Sequence, residues 1–472
     1  MFSKIFKTLI CLFIILTICL NFKVAYAQPE PPPPPTYTVQ SGDTLADIAI
    51  RFNTTVVELL RANDISDPNF LYEGMILTIP NLEGVSGDIN SNIVLIGSSL
   101  RHLVIDRHIS LDEISRINKL TSASQVYAGA SLILAQTAED ISANPVPTRL
   151  SLLELSANQQ ISPWVITLSI QQPDRTMLLP GDYYPGTIDQ SSTTTNLYSS
   201  IVQTMDIHPL PLVQGQTTVV RIKTTEPVQL AGNLAGNNLF FVQQDANEYI
   251  ALQGIHAMHP VGLSEFSLSI TASDGGIYSI SQPILVAAGK FRSDQRLIVD
   301  PATIDRANTE PEDILVRNVI SQFTTNKLWS DPFIVPIDVP PGVYADPTCV
   351  TDRFGNRRAY NDGDFDYFHT GLDLTTCGNT LNIYATAPGR VVMAEELVVR
   401  GNFTLIDHGW GVFSGYGHQL EMFVKEGDYV EAGQLIGFVG KTGRVTGPHL
   451  HWEIWVNGNQ VNPTEWLDNQ YP

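Results

Sequence analysis

Apolar and polar positions change their rhythm several times along the chain. Residues 1–27 run from Lys4 and Lys7 through an apolar stretch, Thr8 to Leu20, to Ala25-Tyr26-Ala27. A basic start, a short apolar run and a small-x-small ending form the pattern of a signal peptide, so the mature chain is expected to begin at Gln28. Spanning a bilayer takes roughly 20 apolar residues, and no later segment is more apolar, so export without a membrane span is expected. Cys19 follows Ile18 where a lipoprotein box needs a small residue, which argues against lipidation. Residues 28–36, QPEPPPPPT, read as a Pro-rich extended spacer. From Tyr37 the text predicts a strand, a helix opened by Asp43 or Thr44, a second helix ending near Asn63, and a strand closing at Pro80. From about 205 to 300 it turns to alternating, β-branched runs such as TTVVRIKTT and FSLSITASDGG. Period-two alternation with turn signals every 8 to 12 residues or so predicts an antiparallel sandwich of immunoglobulin-like type. Residues 301–340, with ANTEPED and PIDVPPG flanking a helix near Ile314 to Phe323, read as a linker. Strand-rich, Gly-punctuated text returns from Asn382 to Val456, making the chain multidomain and mainly β.

Composition narrows the partners. A net charge of −21 with 27 basic residues offers no patch for phosphate backbones or anionic lipid, which excludes nucleic acid as an expected ligand. Only Cys349 and Cys377 survive signal cleavage, and an even pair of thiols in an oxidising compartment predicts a disulfide.

The first folded stretch carries V-x-x-G-D-T-L, then L-x-x-x-N after the second helix, then Y-x-G-x-x-L-x-I-P. Through these strings residues 37–80 resemble the LysM (lysin-motif) family, which implies a small βααβ module that binds N-acetylglucosamine-containing glycans such as peptidoglycan. A shift of 55 lays Leu45 on Leu100, Asn63 on Asn118, Tyr72 on Tyr127 and Gly74 on Gly129. Residues 92–135 are therefore expected to be a second, diverged copy. A shift of 107 lays Leu45 on Leu152 and Gly74 on Gly181, which makes 147–185 a candidate third. In the later copies these shared residues are equally well explained by architecture alone.

Five of the ten His lie from His369 onward, four of them in FHTGLD, YGH and GPHLHWEI. A hydrolytic zinc takes three protein ligands, usually His and carboxylate, and leaves one position open. His369 and Asp373, with Gly371 between, can turn two donors toward one point. The alternation of HLHWEIW indicates a strand, which puts His449 and His451 on one face about 7 Å apart, one for metal and one for substrate. His418 supplies a further imidazole from another part of the chain. No HExxH occurs, so a thermolysin-like helix is excluded. His256 and His259 are spaced like a weak metal pair without a third ligand and read as surface or turn residues.

The order H-x-x-x-D, then H-x-H in GKTGRVTGPHLHWEI, with DRFGNRR ahead and VKEGDYVEAGQLIGFVG between, resembles the lysostaphin-type (LytM-like) peptidases over residues 341–468. The resemblance implies an antiparallel sheet with a zinc groove, His369, Asp373 and His451 as zinc ligands, and His418 and His449 as the catalytic pair acting on a zinc-activated water. It makes His408, in IDHG, a structural or rim residue. The function implied is a secreted, cell-wall-associated zinc endopeptidase that cuts peptidoglycan cross-link peptides, tethered by its LysM repeats and acting as a monomer. The alternative is a non-catalytic, LysM-anchored wall binder or hydrolase activator. Residues 301–340 are also where a segment that blocks the groove would sit.

Overall fold

The computed structural model describes residues 34–135 with short interruptions, the longest over 104–113; the backbone of 143–145 and 183–185; and residues 201–472 apart from 295, 339–348, 365 and 377–379. The expected signal peptide, most of the Pro-rich spacer, nearly all of the candidate third repeat, and Cys377 lie outside the described residues. Among the described residues no helix is long and apolar enough to cross a membrane. The chain divides into two compact units, residues 1–90 and 91–472.

In the first unit, strand β1 (Pro35–Thr38) begins two residues before Tyr37 and pairs antiparallel with β2 (Ile76–Thr78). Between them lie α1 (Leu45–Arg51) and α2 (Val56–Ala62). Thr44, not Asp43, caps α1, its hydroxyl accepting the Asp47 N–H at 3.1 Å. Asp43 instead accepts from the Tyr37 hydroxyl and the Arg51 guanidinium at 2.6 and 2.9 Å. Thr55 and Glu58 satisfy each other's backbone N–H groups at the start of α2, a reciprocal cap. Leu45, Ile48 and Leu59 from the helices pack against Tyr37 and Leu77 from the strands, all buried. Asn63 then locks helix to sheet: Nδ2 donates to the carbonyls of Leu59 and Thr78, both at 2.9 Å, and Oδ1 accepts the Thr78 N–H at 2.6 Å.

In the second unit the same lock recurs 55 positions on: Asn118 donates to the carbonyls of Ile114 and Ile133 at 3.0 and 2.9 Å and accepts the Ile133 N–H at 2.7 Å. Residues 201–287 then form two facing sheets. One runs 237–239, 229–234, 262–271, 277–287 and 212–213; the other 242–245, 248–254, 217–224 and 202–208. Inward-facing Val220, Ile222, Ala251, Phe266, Leu268 and Ile284 fill the space between them, which is why alternation was so regular there.

Beyond the sandwich an antiparallel sheet carries the C-terminal domain. At its centre β3 (Leu372–Leu374), β6 (Leu450–Val456), β5 (Val412–Gln419) and β4 (Gly401–Gly409) lie side by side in that order. Helix α4 (Pro463–Asp468) closes the chain against it.

Residues 301–338 are not a linker. They hold helix α3 (Arg306–Ile320), which starts earlier than the expected Ile314 and takes Pro311 of ANTEPED into its body. They then form an irregular strap whose Trp329, Phe333 and Ile337 are 3%, 3% and 5% exposed within the core of the C-terminal domain. Trp329 meets Trp410 and Trp466 edge-on at 6.0 and 5.8 Å. Leu328 and Phe333 donate backbone hydrogen bonds to His408 and Trp466. Val219, Ile250 and Leu252 of the sandwich join the same core.

Glu465 sits at that seam, accepting the Thr217 N–H at 3.1 Å and the Tyr471 hydroxyl at 3.4 Å. Burial outweighs these donors and pushes its carboxyl up to about 7. The folded state thus holds this proton more tightly than the unfolded chain between about pH 4.5 and 7, so Glu465 makes stability fall as pH rises through that window and level off above it. Glu465→Gln is expected to raise the melting temperature by a few degrees at pH 8 and to leave it unchanged below pH 5, measured by thermal denaturation at both pH values.

Candidate metal centre

The pairing register brings the candidate ligands together. Asp373 on β3 lies directly opposite His451 on β6, and on the other side His451 faces Gly417 on β5. Side chains opposite one another on neighbouring strands stand about 5 Å apart at Cβ, close enough to share one small ion. His369 reaches the same point from the turn before β3. That turn passes against β6 so closely that a Cβ on Gly371 would lie 2.4 Å from the Trp452 carbonyl, so only glycine fits.

Three donor atoms converge. His369 Nε2 is 2.9 Å from Asp373 Oδ1 and 3.1 Å from His451 Nδ1, and the latter two are 2.7 Å apart. All three residues are buried. The outer nitrogens fix the tautomers. His369 Nδ1 donates to the Arg353 carbonyl at 3.0 Å, which leaves Nε2 with its lone pair. His451 Nε2 donates to Glu453 Oε1 at 3.2 Å, so Nδ1 is the nitrogen turned to the cluster, open to a cation once it gives up its proton. Two inward imidazole nitrogens and a carboxylate, backed by hydrogen-bonded partners, suit a divalent first-row cation.

Electrostatics agree with that donor set. Burial opposes ionisation of Asp373, yet the two facing imidazoles outweigh it and hold the carboxyl well below the usual range. Burial also pulls His451 down, but hydrogen bonds to Asp373 and Glu453 overcome it and push the imidazole up to about 9. Arg358 braces the second oxygen of Asp373 at 3.3 Å and pairs with Asp352. Both belong to the DRFGNRR string, whose charges the sequence displayed without revealing this use.

His418 and His449 stand beside the cluster, their ring centres 4.9 Å apart and His418 5.6 Å from His451. Each donates Nδ1–H to a carbonyl, of Thr442 and Gly447, at 2.8 Å, so Nε2 is the nitrogen each ring leaves to the site. His449 Nε2 is 3.5 Å from Asp373 Oδ2. Burial, reinforced by the neighbouring His451 and His449, holds His418 well below its usual value. Its φ of +66° is the left-handed region, disfavoured for a side-chain-bearing residue and kept only where the surroundings enforce it. His408 is placed elsewhere: completely buried, bonded to the Pro388 carbonyl and Ser414 hydroxyl at 2.7 Å each, it is a core residue.

The cluster opens on a cleft of about 400 Å³. Its walls include His256 and Met258 from the sandwich and Thr309, Val316 and Arg317 from α3. His256, read from the sequence as a surface or turn residue, packs edge-on against Phe368 at 5.1 Å and lines this cleft, whereas His259 does not. Only the fold brings a loop so distant in sequence to the site.

An antiparallel sheet thus holds two imidazoles and a carboxylate around one point, with two further imidazoles beside it, an arrangement fit to bind one divalent cation. Residues 367–463 match the family model described as peptidase family M23, and residues 37–80 match that of the LysM domain. Over 94 residues it is 43% identical to the peptidoglycan DD-endopeptidase ShyA of Vibrio cholerae serotype O1, covering 20% of this chain and 22% of that protein. Over 95 residues it is 42% identical to the DD-carboxypeptidase/endopeptidase Mpg of Neisseria meningitidis serogroup B, with the same two coverages. Over 85 residues it is 40% identical to the murein hydrolase activator EnvC of Escherichia coli, covering 18% and 20%. The chain thus spans about a fifth of the length of these curated relatives. Among solved structures it is similar to the catalytic domain of lysostaphin from Staphylococcus simulans, at 31% identity over 22% of this chain and 80% of that one, with a TM-score of 0.20.

Proposed function

We propose that this protein is a secreted, wall-bound zinc endopeptidase that hydrolyses peptide cross-links of peptidoglycan. The observation that carries the reading is the convergence of His369 Nε2, Asp373 Oδ1 and His451 Nδ1 beside two imidazoles whose Nδ1 atoms are tied to backbone carbonyls. Those three residues would hold the zinc, which supplies Lewis acidity toward the scissile carbonyl and an acidified water. His418 and His449 are the catalytic pair. With Nδ1–H tied to a carbonyl, each accepts a proton at Nε2 and returns it to the leaving amine. The low proton affinity that burial imposes on His418 keeps its Nε2 open for that transfer. The cleft walls orient the peptide.

Residues 37–80 hold the enzyme on glycan, which raises the local concentration of cross-links. We read residues 92–135 as a second copy of that module on the strength of the repeated asparagine lock. Export through residues 1–27, action as a monomer and a Cys349–Cys377 bridge belong to the same reading. The bridge is supported by the disulfide-bonded state of Cys349.

The similarity to a hydrolase activator favours one other reading, a wall-anchored adaptor without catalysis. The two part on one experiment: release of new amino groups from purified peptidoglycan by the full chain as isolated, after chelation, and after zinc is restored. Activity that disappears on chelation and returns with zinc is the expected result. Undiminished binding to peptidoglycan with no new amino groups in any condition would leave the adaptor.

A further inference from the structure

Helix α3 lies outside the matched peptidase segment, yet a line of buried charges runs from it to the ligand cluster. Glu312 is 5% exposed, while its helix neighbours Pro311, Asp313, Ile314 and Leu315 face solvent. Its Oε2 accepts the Val399 N–H at 2.6 Å, and its Oε1 accepts from Arg400, 3.3 Å from the backbone N–H and 2.8 Å from Nη1. Arg400, 8% exposed, then faces Glu453, with Nε donating to Oε2 at 3.4 Å and Nη2 3.4 Å from Oε1. Glu453 is fully buried and accepts His451 Nε2–H at 3.2 Å. The same arginine reaches the cluster a second way, because its carbonyl accepts the backbone N–H of His418 at 2.8 Å.

Along this line carboxylate, guanidinium and carboxylate alternate. A buried carboxylate beside an imidazole keeps its charge only if a cation compensates it, and a buried arginine is tolerated only if its fork is matched by carboxylates. Removing Glu312 leaves Arg400 with Glu453 and only a long, exposed contact to Asp313 at 3.9 Å, and leaves two backbone N–H groups of the 399–400 turn unpaired.

Resting on the zinc-site reading above, we infer that Glu312 and Arg400 are positioning residues. Through Glu453 they fix the tautomer and ring orientation of His451, and through the Arg400 carbonyl they set His418. Helix α3 is therefore part of the catalytic unit and not an accessory to it.

The test is a double-mutant cycle on zinc affinity in the full chain. It uses competition with a chromogenic chelator, the melting temperature of the zinc-free protein and the absorption spectrum of the cobalt-loaded protein. Carboxylates behind a metal-bound histidine typically contribute 10- to 100-fold in metal affinity. Glu453→Gln is expected to weaken zinc binding by about that factor and Glu312→Gln by about 10-fold, both shifting the cobalt spectrum. The double variant is expected to be no weaker than Glu453→Gln alone, since the line is already cut. Arg400→Lys, which keeps the charge and loses the fork, repeats the test if Glu312→Gln does not fold. Zinc affinity and cobalt spectrum like wild type, with only the melting temperature lowered, would make Glu312 a mere staple and overturn the inference, as would fully additive losses. A wild-type chain that binds no zinc would overturn both this inference and the reading it rests on; variants that match a zinc-binding wild type overturn this inference alone.

Discussion

His451→Ala is expected to lose zinc and hydrolysis together, while His418→Ala keeps stoichiometric zinc and loses only turnover. The difference follows from where the two rings stand. His451 offers Nδ1 to the point where His369 and Asp373 also converge, and its removal leaves a two-donor site with Asp373 and Glu453 deprived of their shared imidazole. His418 offers nothing to that point; its Nδ1 is tied to Thr442 and its Nε2 faces the cleft. Loss of a general base or acid costs about 10²- to 10⁴-fold in rate, which metal analysis and initial rates on the same preparations separate from loss of the ion. Binding of either variant to insoluble peptidoglycan is expected to stay at the wild-type level, because residues 37–80 are untouched. An active, zinc-replete His451→Ala protein would remove the basis of the assignment.

The second large effect concerns the cut at residue 340. A fragment of residues 340–472 contains every candidate metal and catalytic residue, and if residues 301–340 were a removable block over the groove it would be more active than the whole. The expectation is the reverse: 340–472 does not fold cooperatively, and 201–472 does. Truncating one buried Trp or Phe typically costs about 3–5 kcal/mol, against about 5–15 kcal/mol for the stability of a whole domain. The cut removes Trp329, Phe333 and Ile337 from the core at once, and uncovers the side that packs on Val219, Ile250 and Leu252. Circular dichroism with thermal melting of both fragments, followed by the amino-group assay, decides the matter. A folded and hyperactive 340–472 would restore the blocking-segment reading.

Much of the site was legible because its residues sit on regular strands and in short strings. The alternation of HLHWEIW already put His449 and His451 on one face, and the Gly between His369 and Asp373 already suggested a turn. The register that sets Asp373 against His451 was not legible, since those residues are 78 positions apart and cross-strand partners are chosen by the packing of the whole sheet. The strap over 324–338 was misread for a different physical reason. KLWSDPFIVPID has neither a period of two nor of 3.6, so its aromatics looked like coil. Their burial comes from Trp410, Trp466 and His408, which the chain reaches much later. His256 and Glu312 belong to the same class, side chains whose surroundings are supplied wholly by distant segments.

The asparagine lock limits what a repeat count can mean. Asn63 and Asn118 each spend both amide protons on backbone carbonyls and use the side-chain oxygen for a backbone N–H. Neither has a proton left to offer a sugar hydroxyl, and conversion to aspartate would set a negative charge against two carbonyl oxygens. The position therefore serves folding, and a repeat can lose its hold on any sugar while this asparagine stays in place.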